Sequence, residues 1–591
     1  MVIISLMILI MAIALAPQSN SSLDLEQGKN SESINVASAY GTESLSSLGQ
    51  AVSARGGISP LLISRLTSIS FLFSGALAYN ALYIQSIGSG LSIYSGLFQI
   101  TVLSQSFDLF IFVLAALILI PWSNGIVKGG QALKPLLGVT GPVVSEYSLI
   151  VLFSTLGSSL LLSSGNLLSL YLAVELQSFG VYILATIYRN SESATNAGLK
   201  YFLLGGLSSC LILLGCVLIY SYTGLIYFED IYSLVSSLTL VSNTASQGYF
   251  DIVTIIQLGL ILIFIGFLFK IAAAPFHNWA PDVYNDVPTI VTTWLSIMPK
   301  IAIVVLSFEI LSTIIPSQPL ELGLLVAENG FSSTFSNLGL GLKNLLLIAS
   351  FLSLVIGTTV GLAQIKIKRL LAYSTISHVG FLLLALSINT EESLESLLFY
   401  LVQYSITNLN TFFILLAFGY ILKKSITKVS TLEQVEGKEP NKFDINLISE
   451  LKGQFWSNPV LSLSLAVSLF SMAGIPPLVG FFAKAQVLYS ATQNGYYFIS
   501  IVAIIVSVIS AYYYLQIIKV MHFDSQAQPS GTGQGSEVEQ STMVGITQLD
   551  TVNNTHSFII STLTLSLLLF MLKPSIILNS IHLIALNIFY S

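Results

Sequence analysis

Four lysines and one glutamate stand where long apolar stretches leave them no evident water. Lys270 ends the run IVTIIQLGLILIFIGFLFK, and Lys300 follows the apolar stretch that begins after Pro288. Lys484 lies eight residues past Pro476 in PPLVGFFAKAQVLYS, Lys200 opens NAGLKYFLLGG, and Glu175 sits ten residues into NLLSLYLAVELQSFGVYILA. An ammonium at bilayer depth costs about 3 kcal/mol on insertion scales, so such groups persist where they face a wet cavity, a carboxylate or both. A lysine near a helix end can instead snorkel to the interface. That reading suits Lys200 at its helix start and suits Lys270 and Lys300 poorly. The chemistry open to this set is proton exchange, because burial works against a lysine's charge and a neighbouring carboxylate restores it. If Glu175 meets Lys200 or Lys270, each holds the other's charged form, and Lys300 and Lys484 are the next steps in a row. His277, after Pro275 in PFHNW, is a lesser relay candidate, since a histidine at a helix end commonly serves as a structural donor. His378 in STISHVGFLLL is a weaker link between the two halves, and Glu309 in VVLSFEILS reads as interfacial. Tyr400, Tyr404, Asn408 and Asn410 suit either water or interhelical hydrogen bonds.

The elements that position these residues must be membrane helices. Of 591 residues 54% are hydrophobic and 8% charged, and the mean hydropathy is +0.83, against roughly 25% charged in soluble domains. This predicts an all-α polytopic membrane protein. Cys210 and Cys216 are too few to ligate an iron–sulfur cluster and have no zinc spacing, and the glycines of 86–96 open no phosphate-binding helix. No cofactor or metal is therefore expected on this chain. A net charge of −6 with no basic stripe gives no sign of nucleic acid.

Apolar runs lie at 2–16, 60–83, 106–122, 144–164, 166–188, 198–222, 252–276, 288–314, 343–364, 369–388, 396–422, 456–490, 497–521 and 556–580, about fourteen spans. The first lacks a cationic start and reads as a retained helix rather than a signal peptide. GIPP at 474–477 breaks the twelfth run, as Pro275 breaks the seventh. The polar stretches 17–57 and 522–555 read as inserts or loops. Sixteen of the 22 lysines and arginines fall in the loops after odd-numbered runs or at the run ends that border those loops. By the positive-inside rule both termini then lie on the non-cytoplasmic face, or the intermembrane-space face of a mitochondrial inner membrane.

LFKIAAAPF at 268–276 echoes LFSMAGIPP at 469–477, each ahead of a break. Paired interrupted helices are a pointer to a transport site built from repeats. The resulting division is 1–59, a first helix and polar insert; 60–143, helices 2 and 3; 144–315, a first repeat of helices 4–8; 316–521, a second of helices 9–13; and 522–591, a polar loop and C-terminal helix.

The run FKIAAAPFHNWAPDVYNDVPT, with KRLLAYSTISHVGF at 368–381 and SMAGIPPLVGFFAK at 471–484, closely resembles the antiporter-like membrane subunits of respiratory NADH:ubiquinone oxidoreductase, complex I, over roughly residues 60–520. PDVY after PFHNWA looks like the chain-2 branch, where chains 4 and 5 usually read PDAH. The resemblance implies fourteen helices with two inverted five-helix repeats and a hydrated polar axis. Glu175, Lys200, Lys270, Lys300, Lys484 and His277 match the family's proton-relay positions. It also implies a proton pump driven by quinone reduction elsewhere in the complex, with NADH, FMN, iron–sulfur clusters and ubiquinone in partner subunits and other antiporter-like chains as neighbours. A subunit of a multisubunit sodium/proton antiporter is the nearer alternative, and a passive membrane spacer the more distant one.

Overall fold

The computed structural model describes residues 1–15, 60–84, 90–120, 146–188, 191–241, 247–314, 333–429, 444–524 and 554–590. The polar stretches 17–57 and 522–555 fall almost wholly outside them. Ten of the described helices are long and apolar enough to cross a membrane, and five shorter apolar helices accompany them. With no water to satisfy the backbone in lipid, a chain this apolar must close its hydrogen bonds within helices.

The first six runs form α1 (Val2–Leu15), α2 (Pro60–Ala81), α3 (Val102–Leu119), α4 (Glu146–Leu162), α5 (Leu167–Thr186) and α6 (Glu192–Thr223). Local chemistry sets several boundaries. Thr101 and Asn166 each accept a hydrogen bond from a backbone N–H three residues on and so cap α3 and α5, while Gly224, at φ 69°, ends α6. A hairpin precedes α3, with β1 (Leu91–Ile93) antiparallel to β2 (Phe98–Ile100). The sequence reading places no strand there. The turn is made by Tyr94, Ser95 and Gly96, all at positive φ.

The seventh run becomes α7 (Gln247–Lys270), a break, and the short helix Trp279–Asp286, followed by α8 (Thr289–Ile314). Next come α9 (Ser333–Leu362), α10 (Ile367–Ile388) and α11 (Glu391–Val429). The twelfth run is two helices, α12 (Pro459–Ala473) and α13 (Val479–Gln493), as its length and GIPP require, and α14 (Tyr497–His522) follows. The final run departs from expectation. It is not one helix but α15 (Asn554–Leu569) and α16 (Ser575–Tyr590), because Pro574 cannot donate a backbone hydrogen bond across the join.

Both breaks end a helix by the same device. Ala272 N–H bonds Phe269 O and Ala273 N–H bonds Leu268 O; Gly474 N–H bonds Ser471 O and Ile475 N–H bonds Phe470 O. The left-handed residue is Ala272 (φ 60°) in the first break and Gly474 (φ 86°) in the second. The aligned echo would pair Ala272 with Ala473, so the two helix ends are displaced by one residue relative to the motif.

Close glycine contacts recur at a constant interval of 200 residues. A Cβ on Gly157 of α4 would sit 2.5 Å from the Gln177 backbone nitrogen of α5, and one on Gly357 of α9 would sit 2.7 Å from that of Ser377 of α10. Gly180 approaches Ser154 as Gly380 approaches Leu354. Just before α5 and α10, isolated β-bridges join Asn166 to Tyr227 and Lys366 to Leu447. Small residues let backbones approach closely where no hydrophobic force separates helix from lipid.

Asp444 fastens the start of α8 to the start of α10. It accepts from the Thr289 backbone N–H at 3.0 Å and pairs with the Lys368 ammonium, which also donates to Val287 O at 3.0 Å. Burial opposes the Asp444 charge, yet Lys368 and the Thr289 bond outweigh it and hold the carboxyl below its usual range.

Candidate functional site

The last turn of α7 is closed by the Ala272 and Ala273 N–H groups and by the Trp279 indole N–H on Phe269 O, and a helix C-terminus favours a cation. Lys270 is the final residue of α7. Its side chain is 5% exposed and crosses to α5, where Nζ donates to Ser178 Oγ at 2.8 Å and to Tyr182 OH at 3.2 Å and stands 3.9 Å from Glu175 Oε1. Residues 175, 178 and 182 share one helix face, so a single stripe of α5 presents a carboxylate, a hydroxyl and a phenol to the ammonium. Glu175 Oε1 makes no hydrogen bond.

Lys300, in α8 and 2% exposed, donates to Tyr404 OH of α11 at 3.1 Å. The phenol in turn donates to Ser296 O and receives Asn408 Nδ2, each at 3.2 Å. His378 of α10 lies beyond, with its ring 5.7 Å from that of Tyr404. Its Nδ1 meets Tyr400 OH at 2.7 Å and its Nε2 meets Tyr514 OH at 3.2 Å. Lys484 of α13 donates to Ala473 O at 3.0 Å, a carbonyl at the end of α12 that the GIPP break leaves open, and its ammonium lies 5.6 Å from the Phe381 ring centre. Among the described residues, neither Lys300 nor Lys484 forms an ion pair. These two lysines are thus solvated by a phenol and a carbonyl rather than by carboxylates, an arrangement suited to groups that exchange protons instead of holding charge permanently.

The family profile described as NADH:quinone oxidoreductase/Mrp antiporter, TM, matches residues 164–510, which include Glu175, Lys270, Lys300, His378 and Lys484. NADH-ubiquinone oxidoreductase chain 2 of Rhizopus oryzae is 50% identical over 90% of this chain and 96% of the relative. This chain belongs to the NADH-ubiquinone oxidoreductase chain 2 family. NADH-quinone oxidoreductase subunit N of Parvibaculum lavamentivorans is 34% identical over 65% of this chain and 69% of its own length. A chain in respiratory complex I from Thermus thermophilus with bound Aureothin superposes with TM-score 0.61 at 25% identity, covering 91% of this chain and 96% of that one. A chain of the Mrp complex from Dietzia shares the fold, with TM-score 0.65 at 18% identity over 92% of this chain and 96% of its own.

Two residues matched to the chain-2 family's relay positions stand outside the row. Lys200 does not meet Glu175. Its side chain is 58% exposed and its amine lies 3.4 Å from Asp282 Oδ2, while Arg369 bonds Asp282 Oδ1 at 3.2 Å. Its place only two turns into α6 leaves it at the rim. His277 is half-buried against Tyr373, with Nδ1 making no hydrogen bond. Glu309, read as interfacial from its position near a helix end, is partly exposed. Its Oε2 is buried and unbonded in α8. Asn410 is likewise buried, with neither amide atom hydrogen-bonded. Sequence reasoning missed Ser178 and Tyr182, although their i+3 and i+7 spacing from Glu175 is the signal that finds them. It also ranked His378 low, because a lone histidine in an apolar helix does not reveal the two phenols that reach it from α11 and α14.

Proposed function

We propose that this chain is a membrane-arm subunit of proton-pumping NADH:ubiquinone oxidoreductase and that Glu175, Lys270, Lys300, His378 and Lys484 form its proton path. The observation that carries this reading is the placement of three buried lysines on α7, α8 and α13 with a carboxylate at one end and hydroxyls and a histidine between them. Ionised Glu175 holds Lys270 charged. When that pairing weakens, the proton moves toward Lys300, across the Tyr404, His378 and Tyr400 group, and on to Lys484. Moving one charge against 100 mV requires about 2.3 kcal/mol. The driver is quinone reduction in other subunits, where NADH, FMN, iron–sulfur clusters and ubiquinone reside. Lys200 and His277 are rim residues of this path.

The glycine contacts that recur at an interval of 200 residues, and the β-bridges that open α5 and α10 at Asn166 and Lys366, support two five-helix repeats over 144–315 and 316–521, inverted as the chain-2 resemblance implies. The lysine and arginine distribution supports an amino terminus on the intermembrane-space face of the mitochondrial inner membrane. Other antiporter-like chains flank the subunit.

Gentle detergent extraction, a native gel stained for NADH dehydrogenase activity and mass spectrometry of the active band test the assignment. Co-migration of this chain with the activity is expected. An intact chain absent from every NADH-active band would favour a sodium/proton antiporter complex.

A further inference from the structure

We propose that Ser178 and Tyr182 are positioning residues that hold the Lys270 ammonium beside the Glu175 carboxylate without letting the two form a direct hydrogen bond. The inference rests on the relay reading above and concerns how its first step is tuned. A charge-assisted ammonium–carboxylate bond closes to about 2.7–2.9 Å. Here the separation is 3.9 Å, and the two short contacts of the ammonium go to neutral oxygens. The Ser178 hydroxyl donates to the Val174 carbonyl of its own helix, so the oxygen presents lone pairs to Lys270. It therefore accepts from the charged lysine in any state of Glu175.

Tyr182 is fixed from several sides. Its ring meets Tyr201 edge-on at 4.7 Å and Phe202 at 5.7 Å, and a Cβ at Gly205 would fall 2.0 Å from its hydroxyl, so only glycine at that position of α6 leaves the phenol room. The phenol accepts from an ammonium and donates to a neutral amine, which gives Lys270 a partner before and after proton release. Coulomb attraction falls by just over a quarter, about 28%, between 2.8 and 3.9 Å. The lysine is thus attracted without being captured, as a group that must give up its proton requires. The repeat points to the same residue. Glycine contacts 200 residues apart place Ser178 of α5 where His378 stands in α10, and His378 is itself held between two phenols.

The test uses the whole complex in sealed vesicles, measuring NADH:quinone turnover and the proton-to-electron ratio, with assembly read on a native gel. Ser178→Ala should lower coupled turnover at least threefold in assembled complex, Ser178→Thr should restore it, and Tyr182→Phe should lower it about twofold. In a Glu175→Gln background Ser178→Ala should add no further loss, because there is no longer a pair to tune. Normal turnover and ratio in Ser178→Ala, or an undiminished extra loss in the Glu175→Gln background, would overturn the proposal. If Ser178→Ala does not assemble, Tyr182→Phe decides, and an unaltered rate and ratio in that variant overturns the proposal equally. Full pumping by Lys270→Ala would instead remove the relay reading, and the positioning role with it.

Discussion

Replacing Glu175 by glutamine keeps the size of the side chain and removes one unit charge 3.9 Å from the Lys270 ammonium. At an effective dielectric of about 20 the attraction at that distance is about 4 kcal/mol. With the two side chains only 5% and 15% exposed, salt screens little of it. Four kcal/mol is about a thousandfold in an equilibrium constant. It also matches the work of moving one charge against roughly 170 mV, at about 2.3 kcal/mol per 100 mV. The pair is therefore strong enough to gate one proton against an energised membrane, and a neutral glutamine is not. Glu175→Gln should leave an assembled complex whose coupled turnover in sealed vesicles falls at least tenfold. Assembled complex with a normal rate and a normal proton-to-electron ratio would refute the reasoning, since the loss of about 4 kcal/mol would then have had no consequence.

Four further outcomes follow from the packing and surface electrostatics. Asp444→Asn should destabilise the complex by about 3 kcal/mol, the range for breaking one side of a buried ion pair, read as earlier thermal loss of the native-gel band. Because the folded carboxyl is held below its unfolded value of about 3.9, the contribution of this clamp is complete above about pH 4 and is lost as pH falls through the folded value, which a thermal-stability series from pH 7 to pH 3 measures. Gly157→Ala would bring its Cβ to 2.5 Å from the Gln177 backbone, so α4 and α5 must separate at a cost of about 1–3 kcal/mol, lowering assembled complex and shifting Glu175 from Lys270. Lys200→Ala removes only an exposed pair worth at most about 1 kcal/mol, so pumping should fall by less than twofold; a loss as deep as that of Lys270→Ala would place Lys200 within the path.

Residues that violate the apolar pattern were legible in the sequence because lipid penalises them. Lys270, Lys300, Lys484 and Glu175 announce themselves without any fold, and so do the breaks at Pro275 and GIPP, where the backbone must be satisfied by other means. What surrounds them was not legible in the same way. Serine, tyrosine and asparagine are common in membrane helices as interhelical glue, so nothing in composition separates Ser178, Tyr182 and Tyr404 from the other hydroxyls; only helix register and cross-helix contact do. The two open partners for Glu175 show the same limit. Lys200 and Lys270 were both in reach by sequence, and the choice of Lys270 depends on its side chain reaching α5 from the end of α7 and on Asp282 standing ready for Lys200. The final run read as one helix because its apolar count is continuous, while a single proline, Pro574, divides it.

The most direct test of the central claim is the proton-to-electron ratio of assembled complex carrying Lys270→Ala, measured in sealed vesicles alongside NADH:quinone turnover. The proton path predicts an intact NADH-active band, with pumping abolished or sharply reduced. An unchanged ratio at normal turnover would contradict it, because no proton could then have passed through the Lys270 site.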